Sequence, residues 1–563
     1  MAASEGGYDA AWFAEARAAT EALVRVRSVS PDRAGEHAVA AEVLRLLTAG
    51  GLEHAYTAVG LDPIEGDPYE RHNAYAFVRG RSPRTVVLLG HIDTVGTQDY
   101  GPLEPYATDP AELAARVEQL AALAPEIQPD LDAHPGDWAF GRGVVDMKSG
   151  VAANIVVLRR FAQAALASEP PLSLALLATP DEENESAGVL QGVRWLLRLR
   201  EEHKLDYLGA INTDYVTARS PGDTRWPVYT GTIGKLLPSF FVAGKESHVG
   251  DPYDGLDANL LAAALITDLS MAPELCDAVR GQVAPAPVTL HASDLKDTYN
   301  VQLPFAAYFY LNVLTLTTGP GELLEKLRAR CEAALAAVLA RVDERERRWL
   351  ERTGQTVGAF GGRPPRVSVV LTYDELRRET AGSLGVEAVT AALAEEWDRW
   401  PATLDKRERS LHLVRRLWQL SGRRGPAVVL YYSPPYYPAI AASPSPLHAA
   451  VEQVIAAHPD LGLVIEEFFP YLSDMSYLRL DPDVEVAALT ANMPVWSEPD
   501  SPPRPGAYSL PFAAIRALDL PVVDLGPYGF GAHQRGERLL MSRSYGWLPQ
   551  LVNEVIARLA DQG

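Results

Sequence analysis

The sequence is poor in cysteine. Cys276 and Cys331 are the two cysteines among 563 residues, too few for a disulfide framework or a thiolate metal site. This scarcity is typical of a reducing compartment, and we expect the protein to be cytoplasmic. The opening residues, 1–7, show neither the basic segment nor the apolar run of a secretory signal. No apolar run reaches the ~18 residues that a membrane span needs.

Positive charge is in short supply as well. Lysine and arginine total 51 against 73 acidic residues, which gives a formal net charge of -22. We therefore expect no binding to nucleic acid or to a membrane surface. The hydrophobic fraction of 47% is that of a folded soluble protein, and 563 residues are too many for one ordinary core. Two or more domains are predicted.

A histidine and an aspartate follow the first strongly apolar strand of the sequence. The aliphatic and β-branched run at 85–89 predicts a strand that is covered on both faces. His91 and Asp93 come next, and because side chains alternate along a strand they point the same way. Asp93 would then hold the imidazole of His91 while the other ring nitrogen faces a metal. Alone, such a triplet is most often a surface accident.

Further carboxylates and a second histidine stand where later apolar segments end. Open α/β sheets keep their ligand sites at the carboxyl ends of strands, whereas an isolated acidic run is usually a solvated turn. A dinucleotide fingerprint is disfavoured for the glycine-rich loop 141–150, because no strand feeds its first glycine. The residues that follow a predicted strand, or a loop that opens a helix, are Asp146, Glu182, Glu183, Asp214 and His533.

These residues make a donor set of nitrogen and oxygen without sulfur. Two imidazoles with three or four carboxylates fit a pair of divalent ions, with Zn²⁺ the first choice. Two-metal sites share one carboxylate and hold their ions ~3.5–4 Å apart. The sequence therefore predicts two divalent metal ions, most simply Zn²⁺, with Co²⁺ and Mn²⁺ as alternatives.

The order of these motifs resembles the M20 family of metallopeptidases, which includes carboxypeptidases, dipeptidases and amino-acid deacylases. Residues 90–95 are similar to the family's first motif, and 141–148 to its second. The length of the chain, the 184–188 continuation and an enlarged lid are most similar to the RocB-type branch, which is associated with arginine utilisation. Three further segments are similar to the remaining motifs of the family: Pro180-Asp181-Glu182-Glu183, 244–250 with Asn259, and Ala532-His533-Gln534-Arg535-Gly536-Glu537-Arg538.

The resemblance implies a role for each residue of the site. Asp146 would bridge the two ions, with His91 and Asp214 completing one of them and Glu183 and His533 the other. Asp93 would orient His91. Glu182 would be the general base that takes a proton from the metal-activated water and passes it to the leaving amine. His248 would stabilise the oxyanion, reaching in from the lid of a partner subunit.

The resemblance also implies an architecture: a zinc-exopeptidase-like α/β fold with a mixed sheet between helices, and an inserted α+β lid that forms a homodimer. We expect a catalytic domain at 1–228 and 426–563, with the lid at 229–425. The expected substrate is a small amide or peptide, such as an N-acyl amino acid, and arginine derivatives are candidates. The lid departs from the family's Asp-x-Arg pattern, because Asn312-Val313-Leu314 stands there.

Other interpretations follow from the same residues. The enzyme could be a dipeptidase or an aminopeptidase, or the chain could be a metal-binding protein without catalysis. Glu182 argues against the last alternative, because a pure binder needs no base beside its ligands. A serine hydrolase is disfavoured, since no Gly-x-Ser-x-Gly motif is present. His533 could also be an ordinary loop histidine that Glu537 holds, and Asp474 is interpreted as structural.

Overall fold

The first of two compact units carries a large mixed sheet. The computed structural model describes residues 7–220, 222–354, 368–499 and 504–562. The first unit comprises Met1–Thr232, Ile440–Leu480 and Ala513–Gly563. The eight strands of its sheet, in spatial order, are Ala58–Pro63, His72–Val78, Ser173–Thr179, Arg84–His91, Asp206–Asn212, Val522–Asp524, Trp226–Tyr229 and Leu463–Glu466.

The centre of this sheet is parallel and its residues are apolar. Strand Arg84–His91 pairs in parallel with Ser173–Thr179 on one side and with Asp206–Asn212 on the other, and Val522–Asp524 continues the parallel run. All seven residues of Ser173–Thr179 are buried, as expected where both faces of a sheet are covered. The carboxyl ends of these four strands therefore lie along one edge. Helices of this unit are Ala10–Val24, Arg33–Thr48, Lys148–Ala167, Ala187–His203, Pro446–Ala457, Phe512–Leu518 and Leu548–Asp561.

A small antiparallel sheet presents two loops of the site. Its strands, in spatial order, are Gly529–Phe530, Arg538–Leu540 and Trp138–Phe140. The hairpin between the first two contains His533, whose φ of 63° is in the left-handed region. The third strand leads directly into the glycine-rich loop that contains Asp146, so the expectation that no strand precedes the first glycine of this loop is wrong. This sheet thus carries both loops on paired strands.

The second unit has its own sheet. It comprises Ile233–Ala439 and Asp481–Phe512. Apolar side chains from this sheet and from the helices Tyr373–Leu384, Val386–Asp398 and Lys406–Leu420 form one buried cluster. Two further helices are Ala258–Leu269 and Pro320–Thr353. The strands, in spatial order, are Val288–Asp294, Ala306–Thr315, Gly234–Ala243, Ala427–Tyr437 and Val369–Thr372.

The predicted mixed α/β architecture is confirmed, but the predicted domain boundaries differ from the two compact units of the structure. Residues 426–439 belong to the second unit, because strand Ala427–Tyr437 pairs with Gly234–Ala243 in its sheet. Two short helices, Pro110–Ala114 and Val117–Leu123, follow one another and are separated by a turn in which Arg116 leaves helical geometry. The apolar run 367–371 predicts a strand; the strand of the structure begins at Val369, and Val367 lies outside the described residues.

One helix is long and apolar enough to span a membrane, although the sequence predicted no segment of this kind. It is Lys148–Ala167, with 56% of its most apolar window buried inside the protein. Its buried residues include Asn154, whose side-chain amide donates to the Leu89 carbonyl and to the Thr213 hydroxyl. Burial of most of the helix and its hydrogen bond to the central sheet are typical of a core helix.

Candidate metal centre

The five predicted metal ligands come together in the first unit. His91 ends strand Arg84–His91, Asp214 follows Asp206–Asn212, and Asp146 opens helix Lys148–Ala167. Ligand atoms of His91, Asp146 and Asp214 all lie within 4.8 Å of one another, and so do those of Asp146, Glu183 and His533. The two triads share Asp146. The five residues that the sequence predicted as ligands therefore lie in one spatial cluster.

Asp146 lies between the two imidazoles. Its Oδ1 is 3.1 Å from Nε2 of His91, and its Oδ2 is 3.1 Å from Nε2 of His533. The Nε2 of His533 is also 2.9 Å from Oε1 of Glu183. One carboxylate that offers an oxygen to each side is the arrangement a bridging ligand requires.

The carboxylates raise the affinity of both imidazoles for protons. Burial alone would lower the pKa of His91, but hydrogen bonds to Asp146 and Asp93 raise that pKa well above its ordinary value. Burial is likewise outweighed at His533, where Asp146 and Glu183 raise the pKa to about 11. Both rings therefore lie in a field that favours positive charge. A divalent cation would satisfy the same field and displace the protons.

The environment disfavours the charged form of Asp214 and Glu182, whereas the two imidazoles outweigh burial at Asp146 and lower its pKa. Burial, followed by the charge of Asp146, raises the pKa of Asp214 to about 7. Burial also raises the pKa of Glu182 well above its ordinary value, with Glu183 and Asp474 adding to the effect. Carboxylates this close and this buried cannot all ionise without compensating cations.

Asp93 connects the histidine to the glutamate pair. Its Oδ1 is 3.5 Å from Nδ1 of His91, and its backbone carbonyl is 3.2 Å from the same nitrogen. Its two carboxylate oxygens also accept the backbone N–H groups of Glu182 and Glu183, at 3.2 and 3.1 Å. Asp93 contacts His91, as the sequence predicted, and it also fixes the segment that carries Glu182, which the sequence did not reveal.

Glu537 organises the loop that presents Asp146. It is fully buried, and its Oε1 accepts backbone N–H groups from Gly143, Val145 and Asp146 at 2.8, 3.2 and 3.4 Å. Its Oε2 accepts from Nη1 of Arg142 at 2.7 Å. Glu537 thus holds the metal loop, and the alternative in which it holds His533 is wrong. Sequence reasoning missed this clamp, whose members lie about 390 residues apart.

A second clamp fixes Asp214. The Oδ1 of buried Asp524 accepts the backbone N–H of Asp214 at 2.9 Å and the side-chain amide of Asn212 at 3.2 Å. Gly526 allows the close approach of the two strand ends, because a Cβ at that position would lie 1.5 Å from the Asp214 carbonyl oxygen. The signal in the sequence was the aspartate at the end of strand Val522–Asp524, which was not considered as part of the site.

An arginine-centred cluster lies directly before the glutamate pair. Buried Arg71 forms ion pairs with Glu36, Asp67 and Asp181. Asp181 also accepts the Ser30 hydroxyl at 3.0 Å. Because Asp181 immediately precedes Glu182, this cluster anchors the turn that carries the proposed base. We refer to these four residues, Glu36, Asp67, Arg71 and Asp181, as the Arg71 cluster.

The residue interpreted as structural, Asp474, is buried beside the strand ends. Its Oδ2 accepts the Thr179 hydroxyl at 2.8 Å, while its Oδ1 is buried without a hydrogen-bond partner among the described residues. Burial raises the pKa of Asp474 to about 7, which disfavours the charged form. The contact with Thr179 ties the loop before Asp474 to the end of strand Ser173–Thr179.

His248 lies in the second unit, on an exposed segment. It forms an isolated bridge with Gln302, and its Nδ1 accepts the backbone N–H of Gly250 at 3.0 Å. Asn259, near the start of helix Ala258–Leu269, donates its side-chain amide to Asp294 at 3.2 Å. The predicted role of His248 at an oxyanion stays a prediction.

The donor set fits a pair of divalent ions. Within the described residues, the ion pairs of Asp146, Glu182 and Glu183 are with His91 and His533 and not with a lysine or arginine. A dense set of buried carboxylates whose described ion pairs include no lysine or arginine is typical of the donor residues of a metal site. Nitrogen and oxygen ligands without sulfur match Zn²⁺, Co²⁺ or Mn²⁺.

Comparison with known proteins identifies the family. The model of Peptidase family M20/M25/M40 matches residues 87–494. The uncharacterised protein YqjN of Bacillus subtilis (strain 168) is 35% identical over 485 residues, which cover 85% of this chain and 84% of YqjN. Protein RocB of the same organism is 31% identical over 507 residues, which cover 88% of this chain and 86% of RocB.

A solved structure has a similar fold. Aminopeptidase PepT from Bacillus cereus ATCC 10987 superposes with a TM-score of 0.52, over 97% of this chain and 99% of PepT. The two sequences are 12% identical, so this likeness concerns the fold alone. The family match and the two relatives cover most of the chain. The chain therefore belongs to peptidase family M20/M25/M40, a family of hydrolytic enzymes, and is a RocB-like member of it.

Proposed function

We propose that this protein is a two-metal hydrolase that cleaves an amide or peptide bond of a small, amino-acid-derived substrate. The observation that carries the proposal is the position of Asp146, with one oxygen toward His91 and the other toward His533. His91, Asp146 and Asp214 would hold one divalent ion, and Asp146, Glu183 and His533 the other. We propose Zn²⁺ for both, and the cytoplasm as the compartment.

The residues of the chain divide the chemical work. When bound, two divalent ions would lower the pKa of a water molecule and polarise the carbonyl of the substrate. Glu182 is the proposed general base. Its Oε2 is 3.9 Å from Nε2 of His91, so it lies close to the candidate metal ligands, but it belongs to neither triad. It takes a proton from the attacking water and gives it to the leaving amine.

The surroundings of Glu182 suit a base that moves a proton. Its backbone N–H is held by Asp93, and the preceding residue is held by Arg71. Burial raises the pKa of its carboxyl, so the carboxyl can hold the proton that it accepts and then pass it to the leaving amine. These contacts position the carboxylate and leave its oxygens available.

A hydrolysis screen tests the proposed function. The protein is loaded with Zn²⁺, Co²⁺ or Mn²⁺ and assayed on dipeptides and N-acyl amino acids, arginine derivatives included, with and without a chelator. We expect chelator-sensitive hydrolysis, and Glu182→Gln should lower kcat by roughly 10²–10⁴-fold while the metal content is unchanged. Full metal binding without hydrolysis of any substrate would favour a non-catalytic binding protein. Preference for dipeptides would identify a dipeptidase or aminopeptidase.

We further propose that the second unit is a lid through which two copies pair, and that His248 of the partner subunit stabilises the oxyanion. Strand Val288–Asp294 supports this proposal, because it is an edge strand with Val288 and Leu290 exposed. Complementation provides the test. Mixing inactive Glu182→Gln with inactive His248→Ala should restore activity, since mixed dimers contain one intact site. A monomer in sedimentation, or mixtures that stay inactive after subunit exchange, would contradict it.

A further inference from the structure

We propose that Tyr471 and Tyr215 form one wall of a substrate subsite that accepts an uncharged aromatic group next to the scissile amide. This inference rests on the proposed function, because it names the substrate class for the same site. The pair lies wholly in the first unit, beside the candidate ligand Asp214.

The rings form a small aromatic cluster with one open face. Tyr215 and Tyr471 are stacked, with ring centroids 5.3 Å apart and planes 24° from parallel. Phe469 meets both edge-on, at 6.4 and 5.6 Å. Phe469 is fully buried and Tyr215 half-buried, but Tyr471 is 42% exposed. A stack whose outer ring is open can accept one more aromatic ring in the same geometry.

Tyr215 lies among the neighbours of the candidate ligands. It directly follows Asp214, and its backbone N–H donates to Asp214 Oδ1 at 2.8 Å. Tyr215 and Ala532 both pack against a buried cluster that contains Val145. Val145 directly precedes Asp146, and Ala532 directly precedes His533. Tyr215 therefore places the aromatic cluster beside the candidate metal centre.

The loop that carries Tyr471 is anchored on both sides of that residue. Before it, the backbone N–H of Phe469 donates to the Gly231 carbonyl at 2.9 Å. After it, the hydroxyl of Ser473 accepts the Asn212 amide at 3.1 Å, and Asp474 accepts the Thr179 hydroxyl at 2.8 Å. A binding wall on an anchored segment loses little conformational entropy when a ligand binds.

The local charge disfavours a cationic guest. Arg219 is 40% exposed, donates to the Phe468 carbonyl at 3.4 Å, and lies 3.8 Å from the Glu466 carboxylate. Burial raises the pKa of the Tyr471 hydroxyl and the charge of Arg219 opposes that rise, so this guanidinium lies close to the open ring. A substrate ammonium or guanidinium on Tyr471 would meet a like charge that one loose ion pair only partly offsets. An uncharged ring meets no such cost.

Substrate preference tests the subsite in the metal-loaded full-length enzyme. Turnover of N-benzoyl amino acids is compared with that of the matched N-acetyl compounds. We expect the wild type to prefer the benzoyl compound by about tenfold in kcat/KM. Tyr471→Ala should abolish the preference, Tyr471→Phe should retain it, and Tyr299→Ala, a change at an exposed tyrosine of the second unit, should not alter it. Tyr471→Leu serves as the variant if the alanine change impairs folding.

Binding provides a readout that does not depend on turnover. Calorimetry with the metal-loaded Glu182→Gln variant compares N-benzoylglycine, N-acetylglycine and an N-acetylarginine probe. Tighter binding of the benzoyl compound, lost when Tyr471→Ala is added, supports the subsite even if no substrate is hydrolysed and the proposed function fails. Equal binding of the benzoyl and acetyl compounds overturns it. Tighter binding of the arginine probe, lost in Tyr471→Ala, also overturns it in favour of a cationic guest.

Discussion

Two buried groups of acids lie next to each other in the first unit, and they are neutralised in different ways. In the Arg71 cluster, three carboxylates share the guanidinium of one arginine. In the metal centre, the described ion pairs of the carboxylates are with imidazoles. A resident arginine makes the first group self-sufficient. The second has no lysine or arginine in its described ion pairs, and this contrast is why we propose metal binding for it and a structural role for the first.

The junction between the two clusters explains why they are adjacent. Asp181 belongs to the first and directly precedes Glu182, while Asp93 holds the backbone of Glu182 and Glu183. The arginine thus anchors the turn from one side, and the acid beside His91 fixes it from the other. A general base, the role that we propose for Glu182, must be placed within a fraction of an ångström, and this double anchoring would supply the necessary rigidity.

The largest expected effect comes from the shared ligand. Asp146→Asn should lower turnover by at least roughly 10⁴-fold and reduce the metal content, because both triads lose a charged oxygen. Elemental analysis and kinetics check this. Asp62→Asn, at an exposed ion pair of the same unit, is the control and should change neither. Unchanged metal content and unchanged turnover in Asp146→Asn would contradict the proposal that Asp146 is a ligand shared by two metal ions.

The Arg71 cluster should respond in stability. Arg71→Leu leaves three buried carboxylates without their cation, so the free energy of unfolding should fall by about 3–5 kcal/mol. Arg198→Leu removes an exposed pair with Asp62 and should cost less than about 1 kcal/mol. Urea unfolding measures both. Equal losses in the free energy of unfolding for the two variants would mean that burial does not make the Arg71 ion pairs more important for stability.

Metal removal should affect stability through the other cluster. At a metal concentration of about 100 times Kd, binding should raise the free energy of unfolding by about 2.7 kcal/mol, and a chelator should reverse this. The chelator effect should vanish in Asp146→Asn and persist in Arg71→Leu, measured under conditions where that variant is folded. A chelator effect that disappears in Arg71→Leu would show that the two clusters are one unit.

The smallest effect is a pH dependence within the Arg71 cluster. Burial and Asp93 raise the pKa of Glu36 to about 8, from an ordinary value near 4.5. Between these values the folded state binds more protons than the unfolded one, so stability falls as pH rises. Glu36→Gln should remove about 2 kcal/mol of this fall between pH 6 and 8. Unfolding at both pH values checks it, with Glu42→Gln, at an exposed ion pair, as the control. Identical slopes in the wild type and Glu36→Gln would contradict the pKa shift.

The sequence predicted much of the site because its signals are local. Each ligand follows an apolar strand or opens a helix, and parallel strands bring their carboxyl ends to one edge. The clamps were not predictable in the same way. Glu537 reaches Gly143 across 394 residues, and Asp524 reaches Asp214 across 310, so no spacing in the sequence connects them. Arg71 was missed for the same reason, since its partners lie 4, 35 and 110 residues away.

The second unit was predicted less completely. Its strands and its long helix follow from periodicity, but its boundaries depend on which sheet a strand joins. Strand Ala427–Tyr437 has the apolar character of a strand of either sheet, and its pairing with Gly234–Ala243 decides the matter. Segment 481–512 also returns to the second unit, which no local pattern indicates.

The metal content of the purified protein tests the central claim most directly. Elemental analysis after incubation with Zn²⁺ and removal of the excess should give about two ions per chain in the wild type. The value should be clearly lower in Asp146→Asn and unchanged in Glu182→Gln. A wild-type protein that retains no divalent metal after supplementation would contradict the account.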